Sequence, residues 1–216
     1  VSYLLRVQLP DRPGSLGSLA VALGSVGADI LSLDVVERGD GYAVDDLVVE
    51  LAHGSLPDTL LTAAEALDGV RVDSIRPYTG LLDTHRELEL IDQVATARDD
   101  RMQVLVDGAA RVLRVSWAIV AGIGPHGTFR VVGSVGAPET HAGDVPWMPL
   151  EKPTILDGSA DWVPDVWKDM DTTLAAAPLG VSDRALLLGR SGGPEFRPSE
   201  IARLGYLAGI VATVLG

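Results

Sequence analysis

Along the first 80 positions the spacing of apolar residues alternates between a period of two and one of three to four, and most changes fall at glycine or proline. Tyr3 to Leu9 alternates as a strand does and stops at Pro10-Asp11-Arg12-Pro13-Gly14, where two prolines and a glycine interrupt the ladder. Leu16, Leu19, Ala20, Leu23 and Val26 then mark one face of a helix that Gly27 ends. Ile30 to Val36 and Tyr42 to Leu51 are β-branched-rich and flank Arg38-Gly39-Asp40-Gly41, in which Gly-Asp-Gly is expected to supply the positive backbone angles of a hairpin. Leu56, Leu60, Leu61, Ala64 and Leu67 form a second helical stripe closing at Gly69, and Val70 to Ile75 supplies a fourth strand.

The order strand, helix, strand, strand, helix, strand predicts a ferredoxin-like βαββαβ unit with both helices on one face of an antiparallel sheet. Beyond it the pattern loosens. Leu81 to Leu113 reads as largely helical, its first part (80–100) a connector, and residues 101–216 form a second unit. Ser116 to Ile123 and Thr128 to Val135 read as strands around Gly124-Pro125-His126-Gly127, and Arg184 to Arg190 as another. A closing helix begins at Pro198 with Ile201, Leu204, Leu207, Ala208, Val211 and Leu215 on its apolar face. Gly136 to Val181 is rich in Pro, Gly and Asp and has little periodicity, apart from a short piece around Trp162 to Met170 and a possible strand at Thr172 to Ala177. An irregular stretch of that length belongs to function or to disorder.

Composition narrows the classes. Hydrophobic residues at 47% and charged residues at 22% fit a soluble globular chain with enough apolar side chain for sizeable cores, and the order of elements makes the expected class α+β. The net charge of -13 is shared, with 12 acidic and 5 basic residues in 1–80 and 18 and 12 in the rest. Nucleic acid and anionic membrane surfaces are therefore not expected partners. No run of about 18 apolar residues and no secretory signal is present, so a cytoplasmic location is expected. The absence of cysteine agrees and removes thiol-dependent catalysis.

In Asp11-Arg12-Pro13-Gly14-Ser15-Leu16 a glycine sits at the strand-to-helix turn, where a missing Cβ lets a ligand or another backbone approach. The free amides that begin the helix favour a carboxylate at the same spot. Any tight turn between strand and helix can use such residues, so the hexapeptide alone leaves a structural role open. Asp-x-Pro-Gly-x-Leu after the first strand, with Gly27-Ala28-Asp29-Ile30 at the start of the second, resembles an ACT domain over residues 1–79. The resemblance implies a module that binds an amino acid or similar small ligand where two such domains meet. The ligand would touch Asp11, Pro13, Gly14, Ser15 and Leu16 of one copy and Asp29 and Ile30 of the other. Amino-acid-binding members often carry Asn where this chain has Asp29; a carboxylate accepts from a ligand ammonium but repels a ligand carboxylate. Gly14→Val is expected to abolish binding and leave the fold intact.

The second half is similar to a GAF domain, most clearly from Ala177 to Leu215, through Pro178-Leu179-Gly180, the strand Ala185 to Arg190, Gly193-Pro194-Glu195-Phe196 and the closing helix. The resemblance implies an antiparallel sheet with helices on one side and a lidded pocket on the other. No cofactor is expected: bilin attachment usually needs a cysteine, and no cyclic-nucleotide signature is present. Trp147, Trp162 and Trp167 fall within the irregular stretch, where they either line a pocket or anchor the stretch on the sheet. Gly122-Ile123-Gly124-Pro125-His126-Gly127 fits G-x-G-x-x-G, but a strand follows it where a dinucleotide site needs a helix, so a hairpin is expected. His53, His85, His126 and His141 are scattered without ligand spacing.

The function expected is a non-catalytic regulatory sensor of small molecules. The first half would bind an amino acid between the subunits of a homodimer, and the second a further ligand or an assembly partner. Its output would pass through an effector protein. The alternatives are a scaffold without ligand, or an enzyme using an acid such as Asp29, Asp144 or Glu139.

Overall fold

The computed structural model describes residues 1–78, 86–140 and 143–215. The expected boundary at 79–80, the expected helix start at Leu81, and His85 and His141 lie outside the described residues. The protein is mixed α+β, with two antiparallel sheets and six helices among the described residues. It divides into two compact units, Val1–Leu82 and Asp83–Gly216.

The first unit runs β1 (Ser2–Pro10), α1 (Ser15–Ser25), β2 (Ala28–Gly39), β3 (Tyr42–Leu51), α2 (Asp58–Glu65) and β4 (Arg71–Pro77). Its sheet has the order β2-β3-β1-β4, antiparallel throughout. Alternation along β1 and β3 places Leu5, Val7, Leu9, Leu47, Val49 and Leu51 on one face, where they pack with Leu19 and Leu23 of α1 and Leu60 and Ala64 of α2. On the other face Arg6 and Asp46 stand opposite each other and are both buried. The Arg6 guanidinium donates from Nε to Asp46 Oδ1 at 2.7 Å and from Nη2 to Oδ2 at 2.9 Å, a two-point bond that satisfies two charges in one register position. The β2-β3 turn is tighter than the sequence implied. Of the Gly-Asp-Gly only Gly41 has a positive φ, +85°, because Gly39 still belongs to β2 and pairs with Tyr42.

The second unit runs α3 (Arg86–Thr96), α4 (Arg101–Val112), β5 (Trp117–Gly124), β6 (Gly127–Gly133), β7 (Thr154–Leu156), α5 (Asp165–Asp169), β8 (Thr172–Leu179), β9 (Val181–Ser191) and α6 (Pro198–Leu215). Five strands form an antiparallel sheet of order β6-β5-β9-β8-β7. One face of it, with Ala118, Val120, Ala175, Ala177, Leu186 and Leu188, packs against α3, α4 and α6. The other, with Trp117, Ile119, Leu174, Ala176, Ala185 and Leu187, is covered by Leu150, Val163, Trp167 and their neighbours. α3, in the stretch expected to be a connector, buries Leu90 and Val94 in this helical layer.

The stretch expected to be irregular is partly built into the sheet. β8 sits between β9 and β7, and the three-residue β7 forms an edge. Gly124-Pro125-His126-Gly127 is the β5-β6 hairpin turn, with Gly124 paired to Gly127.

Candidate functional site

Two places have the makings of a binding site, one in each unit. In the first, β1 ends at Pro10 and the chain turns through Asp11 to Gly14 into α1. Gly14 is the N-terminal cap residue at φ +91°, a conformation that L side chains avoid. No heavy atom lies within 4 Å of the position a Cβ would take there. The Ser15 amide donates to the Arg12 carbonyl at 3.2 Å, but among the described residues no side chain caps the first turn, and that turn holds no acidic residue. A helix start in this state presents its amides to an anion.

Asp45 adds a second charge requirement at the same end of the sheet. It pairs with Val7 of β1 and shares the face of Leu47 and Val49, the one that α1 covers. Its residue is 4% exposed, and Oδ1 finds no hydrogen-bond partner among the described residues. Burial raises its pKa above the ordinary carboxylate value; Arg38 opposes the rise, and Asp46 and Asp11 add to it. The buried Ser15 hydroxyl likewise has no partner among the described residues. Asp45 escaped sequence analysis, although the signal existed. In Tyr42 to Leu51 two successive acids interrupt an apolar strand, and alternation must send one of them toward the helices.

The residues named from sequence around this turn do not all meet within one copy. Asp11, Pro13, Gly14 and Leu16 are exposed at the start of α1, with Ser15 half-buried. Asp29 is exposed and Ile30 half-buried at the start of β2, beyond the far end of α1. An 11-residue helix spans about 16 Å, more than a small ligand can bridge. The expectation that Gly14→Val leaves the fold intact is corrected by the backbone. With φ at +91° a β-branched residue strains the turn whatever space surrounds it.

In the second unit a cavity of about 510 Å³ lies on the sheet face away from the three long helices. Its floor is Ile119 and Ala121 of β5 and Leu187 of β9, and Phe129 and Arg130 of β6 stand at its side. Trp147, Trp162 and Trp167 all line it. Each is set by a local turn: the Met148 amide donates to the Val145 carbonyl beside Trp147, the Val163 amide to the Ala160 carbonyl beside Trp162, and α5 carries Trp167. Trp167 is also packed into the core, its ring centroid 4.8 Å from that of Trp117 at 56°, so it anchors the segment as well as walling the cavity. Trp147 and Trp162 meet at 5.8 Å and 55°.

Pro138, Glu139 and Thr140 complete the rim, held by Arg130 donating from Nη1 to the Pro138 carbonyl at 2.9 Å and by paired backbone bonds between Thr128 and Gly143. Arg130 and Thr140 were not singled out from sequence, because Arg130 reaches the cavity face only through its pairing with Ala121 of β5, and Thr140 lies in the rim that follows β6. Among the described residues no group of three or more His, Asp or Glu is placed to hold a metal ion, and no helix is long and apolar enough to cross a membrane.

No protein-family model matches the chain. It is similar to an NAD-dependent malic enzyme of Geobacillus stearothermophilus, 27% identical over 113 residues that make up 52% of this chain and 24% of that enzyme. It is also similar to NAD-dependent malic enzyme 1 of Bacillus subtilis (strain 168), 29% identical over 72 residues, 33% of this chain and 16% of the enzyme. The chain thus spans a quarter or less of the curated relatives it matches. Among solved structures, the chromophore-binding domain of a Stigmatella aurantiaca bacteriophytochrome matches with a TM-score of 0.43 and 13% identity, over 99% of this chain and 93% of that one.

Proposed function

We propose that the chain is a regulatory small-molecule sensor, with an ACT-like first unit that binds an amino acid between two copies and a GAF-like second unit that holds another ligand. The observation that carries this reading is the juxtaposition at one end of the first sheet. Among the described residues the helix start has no side-chain cap and Oδ1 of buried Asp45 has no partner; the first calls for a carboxylate, the second for a hydrogen-bond donor such as an ammonium. An α-amino acid carries both groups on one carbon. The β2-β3-β1-β4 order supports a ferredoxin-like, ACT-like unit, and the five-stranded sheet with helices on one side and a cavity on the other supports a GAF-like one.

The separation of Gly14 from Asp29 is consistent with a shared site. β2 is an edge strand, with Leu33 and Val35 exposed on the helix side of the sheet. Antiparallel pairing with β2 of a second copy reverses that strand, bringing its Asp29 and Ile30 toward the α1 start of the first. A site then forms from two half-sites, as the resemblance implies. The stretches shared with the malic enzymes cover only 24% and 16% of them, the scale of an accessory module, and we assign no catalytic step to the chain.

Calorimetry against the common amino acids tests the reading. One or a few should bind, and Asp45→Asn should weaken that binding by about tenfold or more through loss of a charged acceptor. Failure of every amino acid to bind, or equal affinity in the variant, would overturn it.

A further inference from the structure

We infer that the second-unit cavity selects a neutral, planar aromatic molecule that carries a hydrogen-bond-accepting oxygen. The inference rests on reading that unit as ligand-binding, and three observations fix the class. The walls come first: Trp147, Trp162 and Trp167 line a space of about 510 Å³ with aromatic surface, within the roughly 300–1,000 Å³ of small-molecule sites. Trp147 and Trp162 stand at 55° to each other, so a flat ring stacked on one presents its edge to the other, the two arrangements aromatic pairs favour.

Charge comes second. Among the described residues the ionisable groups lining the cavity are Arg130 and Glu139, opposite in sign, and Arg130 already donates to the Pro138 carbonyl. An ionic ligand would enter an aromatic space without a net opposite charge and would lose its hydration there, which disfavours it.

The third observation supplies the oxygen. Trp147 Nε1 and Thr140 Oγ1 are both buried, both belong to residues of the cavity, and neither finds a partner among the described residues. An indole N–H can only donate, so a ligand that satisfies it must bring an acceptor; the threonine hydroxyl can donate to the same atom or accept from a ligand hydroxyl. A phenolic or ring-carbonyl oxygen meets both. A bare hydrocarbon ring would fill the space and leave the two groups unsatisfied.

Three probes of similar size separate these requirements: 4-methylphenol, toluene, which lacks the oxygen, and 4-methylcyclohexanol, which lacks the planar ring. Calorimetry on the full chain should show 4-methylphenol binding about tenfold or more tighter than either of the others. Trp147→Phe keeps a ring and removes the N–H, and Thr140→Val keeps the shape and removes the hydroxyl. Each should narrow the preference over toluene while leaving toluene affinity within about twofold. Should Trp147→Phe fail to fold, Thr140→Val decides alone.

Equal wild-type affinities for 4-methylphenol and toluene, or an undiminished preference in the variants, would overturn the role of the oxygen. Binding of 4-methylcyclohexanol as tight as that of 4-methylphenol would overturn the aromatic class while leaving the cavity a ligand site. Absence of binding by all three would overturn the inference. The amino-acid titration of the Asp45→Asn variant tests the sensor reading separately, since it reports on the other unit.

Discussion

Burial lifts the Asp45 carboxyl above the ordinary carboxylate range against the pull of Arg38, so the folded chain carries a charge it would hold more easily when unfolded. A group whose folded pKa is raised binds more protons in the native state. Its contribution to stability is therefore most favourable below the ordinary aspartate value of 3.8 and declines as pH rises through the raised value. Asp45→Asn should accordingly melt higher than the parent near pH 7, with the gap closing toward about pH 4, as thermal denaturation at several pH values would show. Binding runs the other way. An ammonium needs the ionised carboxylate, so amino-acid affinity should fall as pH is lowered through the Asp45 range, and that dependence should vanish in Asp45→Asn. A residue that costs stability and confers affinity is the trade expected of a functional position. Gly14 belongs to the same scale. Gly14→Ala should lower stability by about 1 kcal/mol in urea denaturation, because φ +91° disfavours any Cβ. A binding defect in that variant would thus mix strain with occlusion, which makes Asp45 the cleaner probe.

At the scale of elements, α6 is locked to the sheet at its first turn. Arg190 of β9, fully buried, donates from Nη2 to Glu200 Oε1 at 2.6 Å and from Nη1 to the Pro194 carbonyl at 3.1 Å, while its guanidinium lies 4.2 Å from the centroid of the Phe196 ring. Glu200 Oε2 accepts from the Arg197 amide at 3.0 Å and so caps the helix it belongs to. Removing the carboxylate strands a buried cation, and Glu200→Ala should cost about 3–5 kcal/mol, read from the urea midpoint. The sequence shows Pro198-Ser199-Glu200 as a helix start, but the partner on β9 is ten residues away in sequence and emerges only with the packing. β8 was harder to read than β9 for a related reason. Leu174-Ala175-Ala176-Ala177-Pro178 carries weak strand propensity and no alternation, since both of its faces are buried and its place comes from β9 and β7 on either side. β7, three residues long, has no pattern of its own and exists through its pairing with β8.

At the scale of the whole molecule, the proposed sensor needs a second copy. The exposed edge of β2 is where pairing would begin, and a charge on such an edge opposes it. Light scattering should find a dimer for the parent, and Val35→Lys, at a position 50% exposed, should shift it toward monomer and weaken amino-acid binding together. The second-unit cavity should bind its probes undiminished in that variant, because every residue lining it lies between Ile119 and Leu187. A monomeric parent that still binds an amino acid at full strength would count against a shared site.

The amino-acid sequence by itself determined the order of elements in the first unit, the turn that opens α1, the helical ends of the second unit and the absence of thiol chemistry. Each of these follows from period, turn residues or composition, which are properties of neighbouring positions. Tertiary structure alone decided that Asp45 faces the covered side of its sheet with an oxygen unpaired among the described residues, that Arg130 and Thr140 join three tryptophans around one cavity, and that β8 is an interior strand. Those facts depend on which strand pairs with which, in what register, and on what then covers each face. Contacts between positions tens of residues apart leave no local period in a single chain, and at such contacts side chains with conflicting demands are left for a ligand to satisfy.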